Sequence, residues 1–206
     1  MREKTLKTLR NLVLTGGFLA STVVTAGIVN SAHDFSNKAW SGGKICIVCH
    51  APHNTANIPD GPLWNHDTSV ATYTTYTSAT MNSTPGQPSG RSKLCLSCHD
   101  GTVGIDAYGG NAGTTMMGGG RNLGTNLGND HPISVAYTTA LATADGGLFD
   151  PAVATTALGG TIAQDLTPNG TVECSSCHDV HNKYGNTKLM KINNTGSQLC
   201  LTCHNK

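Results

Sequence analysis

One apolar run stands out along the chain, Leu12 to Ala26, and the remainder shows almost no helical or strand period. The run follows a mostly basic segment, Met1 to Arg10, and is interrupted by Thr15, Gly16, Gly17 and Thr22, which leaves it short for a bilayer. It predicts an export signal over residues 1–26, with Val24-Thr25-Ala26 supplying the small residues before cleavage and no cysteine there to take a lipid anchor. A retained membrane anchor is the weaker alternative. No membrane span is expected in the rest of the chain.

Downstream, the pattern is polar and punctuated by turns. The stretch from Pro59 to His66, rich in Pro, Asn and Gly, reads as a loop. Val70 to Thr77 alternates threonine with Tyr73 and Tyr76, the pattern of a short strand. Pro85 to Gly90 is a turn-rich linker, and residues 106–130 form a glycine-rich connector. Short strands are expected in the Thr-, Ala- and Gly-rich segment from Ala136 to Val172, and short helices at four places where cysteines recur three residues apart.

Composition sharpens the problem this pattern poses. Hydrophobic residues make up 37% and aromatics 5%, against 25 glycines, so side chains alone give a weak core. Most of the apolar material must come from elsewhere. Charge excludes one partner class: of the 13 basic and 12 acidic residues, nine and eleven lie beyond residue 26, so no nucleic acid is expected.

The four cysteine pairs supply the candidate. Cys46, Cys49 and His50, then Cys95, Cys98 and His99, then Cys174, Cys177 and His178, and finally Cys200, Cys203 and His204 are four CxxCH motifs that use all eight cysteines. On one helical turn both thiols face the same way and can bond the two vinyl groups of a porphyrin, while the next residue brings its imidazole under the iron. A single CxxC pair also suits zinc or a redox dithiol. Four pairs, each closed by histidine, point to four covalently bound haem c groups with His50, His99, His178 and His204 as proximal iron ligands. The haems then stack into the missing core.

The order of signals repeats. His33-Asp34-Phe35-Ser36 is echoed by His131-Pro132-Ile133-Ser134, Cys46 to Asn54 by Cys174 to Asn182, and Leu94 to His99 by Leu199 to His204. Residues 27–105 are a first two-haem repeat and 131–206 a second. Five histidines remain for the opposite faces of the irons. The repeat selects His33, His53, His131 and His181 as distal ligands; His66, without a counterpart, is the less favoured candidate. Met81, Met116, Met117 and Met190 are not chosen. His53 and His181, three residues beyond a proximal histidine, are expected to serve a haem other than the one beside them. Asp100 and Asp179, each after a proximal histidine, are either acceptors for the imidazole or solvated turn residues.

With four distal histidines no open iron position is expected, and no carboxylate pair stands beside a motif, so the reading is an electron carrier rather than an enzyme. A small multihaem reductase is kept as the outsider. The stretches SAHDFS, CIVCHAPHN, LWNHDTS, LCLSCHDG, NDHPIS, CSSCHDVHN and LCLTCH resemble the tetrahaem doubled-CxxCH cytochromes, including filament-forming outer-surface cytochromes of metal-reducing bacteria. That resemblance implies a mostly irregular, loop-rich multihaem cytochrome c, short helices at the CxxCH sites, few short strands and a core of stacked haems. It further implies a homopolymer in which subunits join head to tail outside the cell, one distal histidine crosses the subunit boundary, and other cytochromes or extracellular acceptors are the redox partners. A monomeric periplasmic shuttle is the alternative.

Overall fold

The computed structural model describes residues 27–206 apart from 54 and 59, so the expected export signal lies outside the described residues. Among the described residues five short α-helices occur beside a few single 3-10 turns: α1 (Gly90–His99), α2 (Thr139–Asp145), α3 (Ile162–Asp165), α4 (Cys174–Cys177) and α5 (Gln198–Cys203). Two antiparallel pairs of very short strands accompany them, β1 (Ala56–Ile58) with β2 (Gly61–Trp64) and β3 (Val135–Ala136) with β4 (Thr171–Val172). The rest is turn and irregular chain, the loop-rich architecture expected. Among the described residues, no helix is long and apolar enough to cross a membrane.

The helices are short because each is stopped locally. Thr138 caps α2 by accepting from the Leu141 N–H, and Gly146, left-handed at φ 69°, ends it. A reciprocal capping box between Thr161 and Gln164 starts α3, and another between Glu173 and Ser176 starts α4. Each fixes one turn. Helix α1 ends where Gly101 takes φ +73°.

Two local readings of the sequence are corrected. Residues 70–77 form no strand; Thr74 makes a single parallel bridge with Asn126, and the backbone of Tyr73 is instead satisfied by a side chain. The Gln87 amide accepts from the Tyr73 N–H and donates to the Tyr73 carbonyl, both at 2.8 Å, as a neighbouring strand would. Conversely, the turn-rich stretch before His66 contains a hairpin, because Asp60 takes φ 66° at the tip and lets β2 return on β1. The segment from Ala136 to Val172 has strands only at its ends, with α2 and α3 between them.

The apolar core is small and divided. Tyr137, Ala142, Ile162, Leu166, Ile192 and Leu199 cluster in the second half, and Tyr73, Leu96 and Leu127 in the first. Where α1 meets α4, Ser92 accepts from the Cys174 N–H at 3.0 Å, and its own N–H donates to the Glu173 carboxylate at 3.2 Å. The glycine-rich connector folds tightly back: at Gly113 (φ +68°) a Cβ would sit 2.6 Å from the Ala107 backbone nitrogen.

Candidate functional site

Each CxxCH motif occupies one turn. Helix α4 and the ends of α1 and α5 hold three of them, and at the first the His50 N–H reaches back to the Cys46 carbonyl at 2.8 Å without a full helix. The same closure recurs from His178 to Cys174 and from His204 to Cys200, both 3.0 Å. After that turn the backbone of His178 and His204 becomes extended.

A second strand of chain then clamps the motif histidine. Around His50 the Ala51 N–H donates to the Leu63 carbonyl and the Asn65 N–H to the Cys49 carbonyl; around His178 the Asp179 N–H donates to Leu189 and the Lys191 N–H to Cys177. These clamps match across the two halves. They deliver carbonyls to the rings: the Nδ1 of His50, His99 and His178 lies 2.8, 2.8 and 2.9 Å from the carbonyl oxygens of Pro62, Arg121 and Lys188. A carbonyl only accepts, so Nδ1 carries the proton and Nε2 is left with the lone pair that a metal needs.

The imidazoles meet in pairs. His33 and His99 have ring centroids 6.1 Å apart, His50 and His181 6.2 Å, and His131 and His204 6.2 Å. Two imidazole nitrogens bonded to one metal ion lie about 2 Å from it on either side, which puts the ring centres roughly 6 Å apart. The spacing thus fits an iron between each pair. His53 and His178 are both exposed, and among the described residues neither ring has such a partner.

His66 is placed differently. It is 3% exposed, with Nδ1 2.7 Å from the Asp67 carbonyl and Nε2 3.0 Å from the Gly104 carbonyl, so both nitrogens are engaged by backbone. Its Nε2 also lies 3.4 Å from Cys98 Sγ. His33 is largely withdrawn from water; burial, reinforced by the His99, His178 and His181 rings, lowers its pKa to about 4 and keeps the ring neutral.

At three of the motifs the second thiol is unlike the activated thiol of a redox dithiol. Burial pushes Cys49 up to about 11, Cys98 up to about 12 and Cys203 up to about 11, opposite to the depression that makes a reactive thiolate. Among the described residues, no cluster of three or more His, Cys, Asp or Glu side chains is arranged to hold a metal ion by itself. Neighbouring motifs nevertheless lie close: the Cys95 and Cys174 thiols act on one another, raising the pKa of Cys95 and lowering that of Cys174.

Asp100 is not a solvated turn residue, and it does not serve the His99 ring, whose Nδ1 faces Arg121. It is 3% exposed and takes hydrogen bonds from Ser69, Tyr73 and Thr102. Asp179 lies nearer solvent, with one oxygen 3.8 Å from Nδ1 of His181. Sequence reading missed the carbonyls of Pro62, Arg121 and Lys188 altogether. They are backbone groups, and no side-chain identity marks them.

Comparison with known proteins finds no matching curated protein. The family model for a doubled CXXCH motif matches residues 167–206, which contain α4, α5 and the two motifs they carry. With two more such motifs upstream, held on the same one-turn geometry, the match supports a multihaem c-type cytochrome that carries electrons.

Proposed function

We propose that the chain is a tetrahaem electron conductor with bis-histidine haems attached at all four CxxCH motifs, and that it works as the subunit of an extracellular filament. The observation that carries this reading is the set of histidine pairs with centroids 6.1 to 6.2 Å apart. On this reading His33 serves the haem of His99, His131 that of His204, and His181 that of His50. The haem supplies a one-electron iron couple; the chain's residues hold, orient and insulate it.

The pairing has a direction. His33 and His131 each serve the second motif of their own repeat, whereas His181 of the second repeat serves the first motif of the first repeat. Carried one step further, the same relation sends His53 of one subunit to the His178 site of the next. Both residues are exposed, as such a joint requires. A contact of this kind joins unlike surfaces and does not close on itself, so it propagates into a filament. Close packing of motifs such as Cys95 against Cys174 keeps neighbouring porphyrin edges near, which tunnelling needs.

Export through the segment at residues 1–26 places the protein outside the inner membrane, where thioether-bound haem is assembled. Other cytochromes and extracellular acceptors are the partners. The test is peptide mass analysis for four haem adducts, combined with negative-stain microscopy of the native protein. Four adducts and filaments are expected; discrete particles at high concentration, with every haem six-coordinate, would favour a periplasmic shuttle and overturn the filament.

A further inference from the structure

The first repeat contains a buried negative charge that the second does not reproduce. Asp100 Oδ2 accepts from Ser69 Oγ and Tyr73 OH, each at 2.5 Å, and Oδ1 accepts from the Thr102 N–H and Oγ1, each at 2.8 Å. Ser69, Tyr73 and Asp100 are 1%, 6% and 3% exposed. Tyr73, pushed up to about 12 chiefly by burial, stays protonated and donates. Among the described residues no cationic side chain pairs with this carboxylate, the only ion-pair contact within 4.0 Å being His181 with Asp179.

The charge lies directly after the proximal histidine of the second motif, and it is tied to that motif through Ser69, which donates its hydroxyl to Asp100 and its N–H to Ser97 Oγ at 3.0 Å. The matching position of the second repeat holds Asn205, which carries no charge; the other aspartate that directly follows a motif histidine, Asp179, keeps 17% side-chain exposure and spends its oxygens on the exposed N–H groups of His181 and Lys183. Water screens a charge there far more than one inside the fold.

We propose that Asp100 is a positioning residue for electron transfer: its buried carboxylate holds the reduction potential of the haem at Cys95 and Cys98 below the value that haem would otherwise have. Ferric bis-imidazole haem carries one more positive charge than ferrous, so an uncompensated anion in a poorly screened site stabilises the oxidised form. The four donors keep that anion fixed, and Ser69 and Tyr73 partly offset it. The four haems are then unequal, with an electrostatic step at the second site.

This rests on the assignment of a haem to Cys95 and Cys98, which peptide mass analysis of the holoprotein checks separately. The test is a spectroelectrochemical titration, resolved into one-electron components, of wild type, Asp100→Asn, Tyr73→Phe and Asp179→Asn. Asp100→Asn is expected to move one component to higher potential and leave the others in place. Tyr73→Phe keeps the ring but removes a donor, and is expected to move the same component lower; Asp179→Asn is expected to shift its component less than Asp100→Asn does. Shifts of the same sign in Asp100→Asn and Tyr73→Phe, movement spread over all components, or none at all overturns the proposal. Absence of haem on the Cys95–Cys98 peptide overturns the underlying assignment instead.

Discussion

His50 and His181 come from opposite halves of the chain, yet their rings stack with centroids 6.2 Å apart and planes 14° from parallel. His50 Nδ1 is already committed to the Pro62 carbonyl at 2.8 Å, which leaves Nε2 as the ring nitrogen with a lone pair to offer. The two halves therefore meet at this histidine pair as well as where α1 contacts α4.

Removing one member of such a pair should open one iron. His181→Ala is expected to convert a single haem to a high-spin species, as are His33→Ala and His131→Ala, each at a different haem. Electron paramagnetic resonance of the oxidised variants reads the change. Three unchanged low-spin spectra would remove the basis for the pairing.

His66→Ala is expected to leave every haem low-spin, because both ring nitrogens of His66 face backbone carbonyls. Its cost is structural: a buried carbonyl loses its donor, worth about 1–3 kcal/mol, read as a lower chemical-denaturation midpoint. A new high-spin signal would show that His66 is a ligand after all.

The connector's glycines are not interchangeable. Gly113→Ala places a Cβ 2.6 Å from backbone at a left-handed position and should destabilise by more than about 1 kcal/mol, whereas Gly110→Ala meets nothing within 4 Å and pays only for its φ of +85°. Denaturation midpoints of the two variants test the difference.

Much of the candidate site was legible because its chemistry resides in side chains at fixed spacing. CxxCH marks each cysteine pair and the histidine after it, and of the histidines that the doubled order of motifs selects, His33, His131 and His181 lie beside a motif histidine, whereas His53 has no such partner among the described residues. What was not legible depends on backbone. The carbonyls that set the tautomers of His50, His99 and His178 carry no residue signature, and the hairpin before His66 hides in a composition that reads as loop. Tyr73 and Tyr76 suggested a strand by alternation, but one glutamine side chain, Gln87, replaces the missing neighbour. Asp100 reads equally as an acceptor for the imidazole or as a turn aspartate, since its burial with Ser69 and Tyr73 comes from tertiary contacts.

The central claim, that three haems are completed within the subunit and the fourth by His53 of a neighbour, is tested most directly by the spin state of isolated subunits. Filaments dissociated into single, folded, fully haem-loaded chains should show one high-spin haem in four, with the low-spin state restored on reassembly. Four low-spin haems in a discrete monomer would contradict the account.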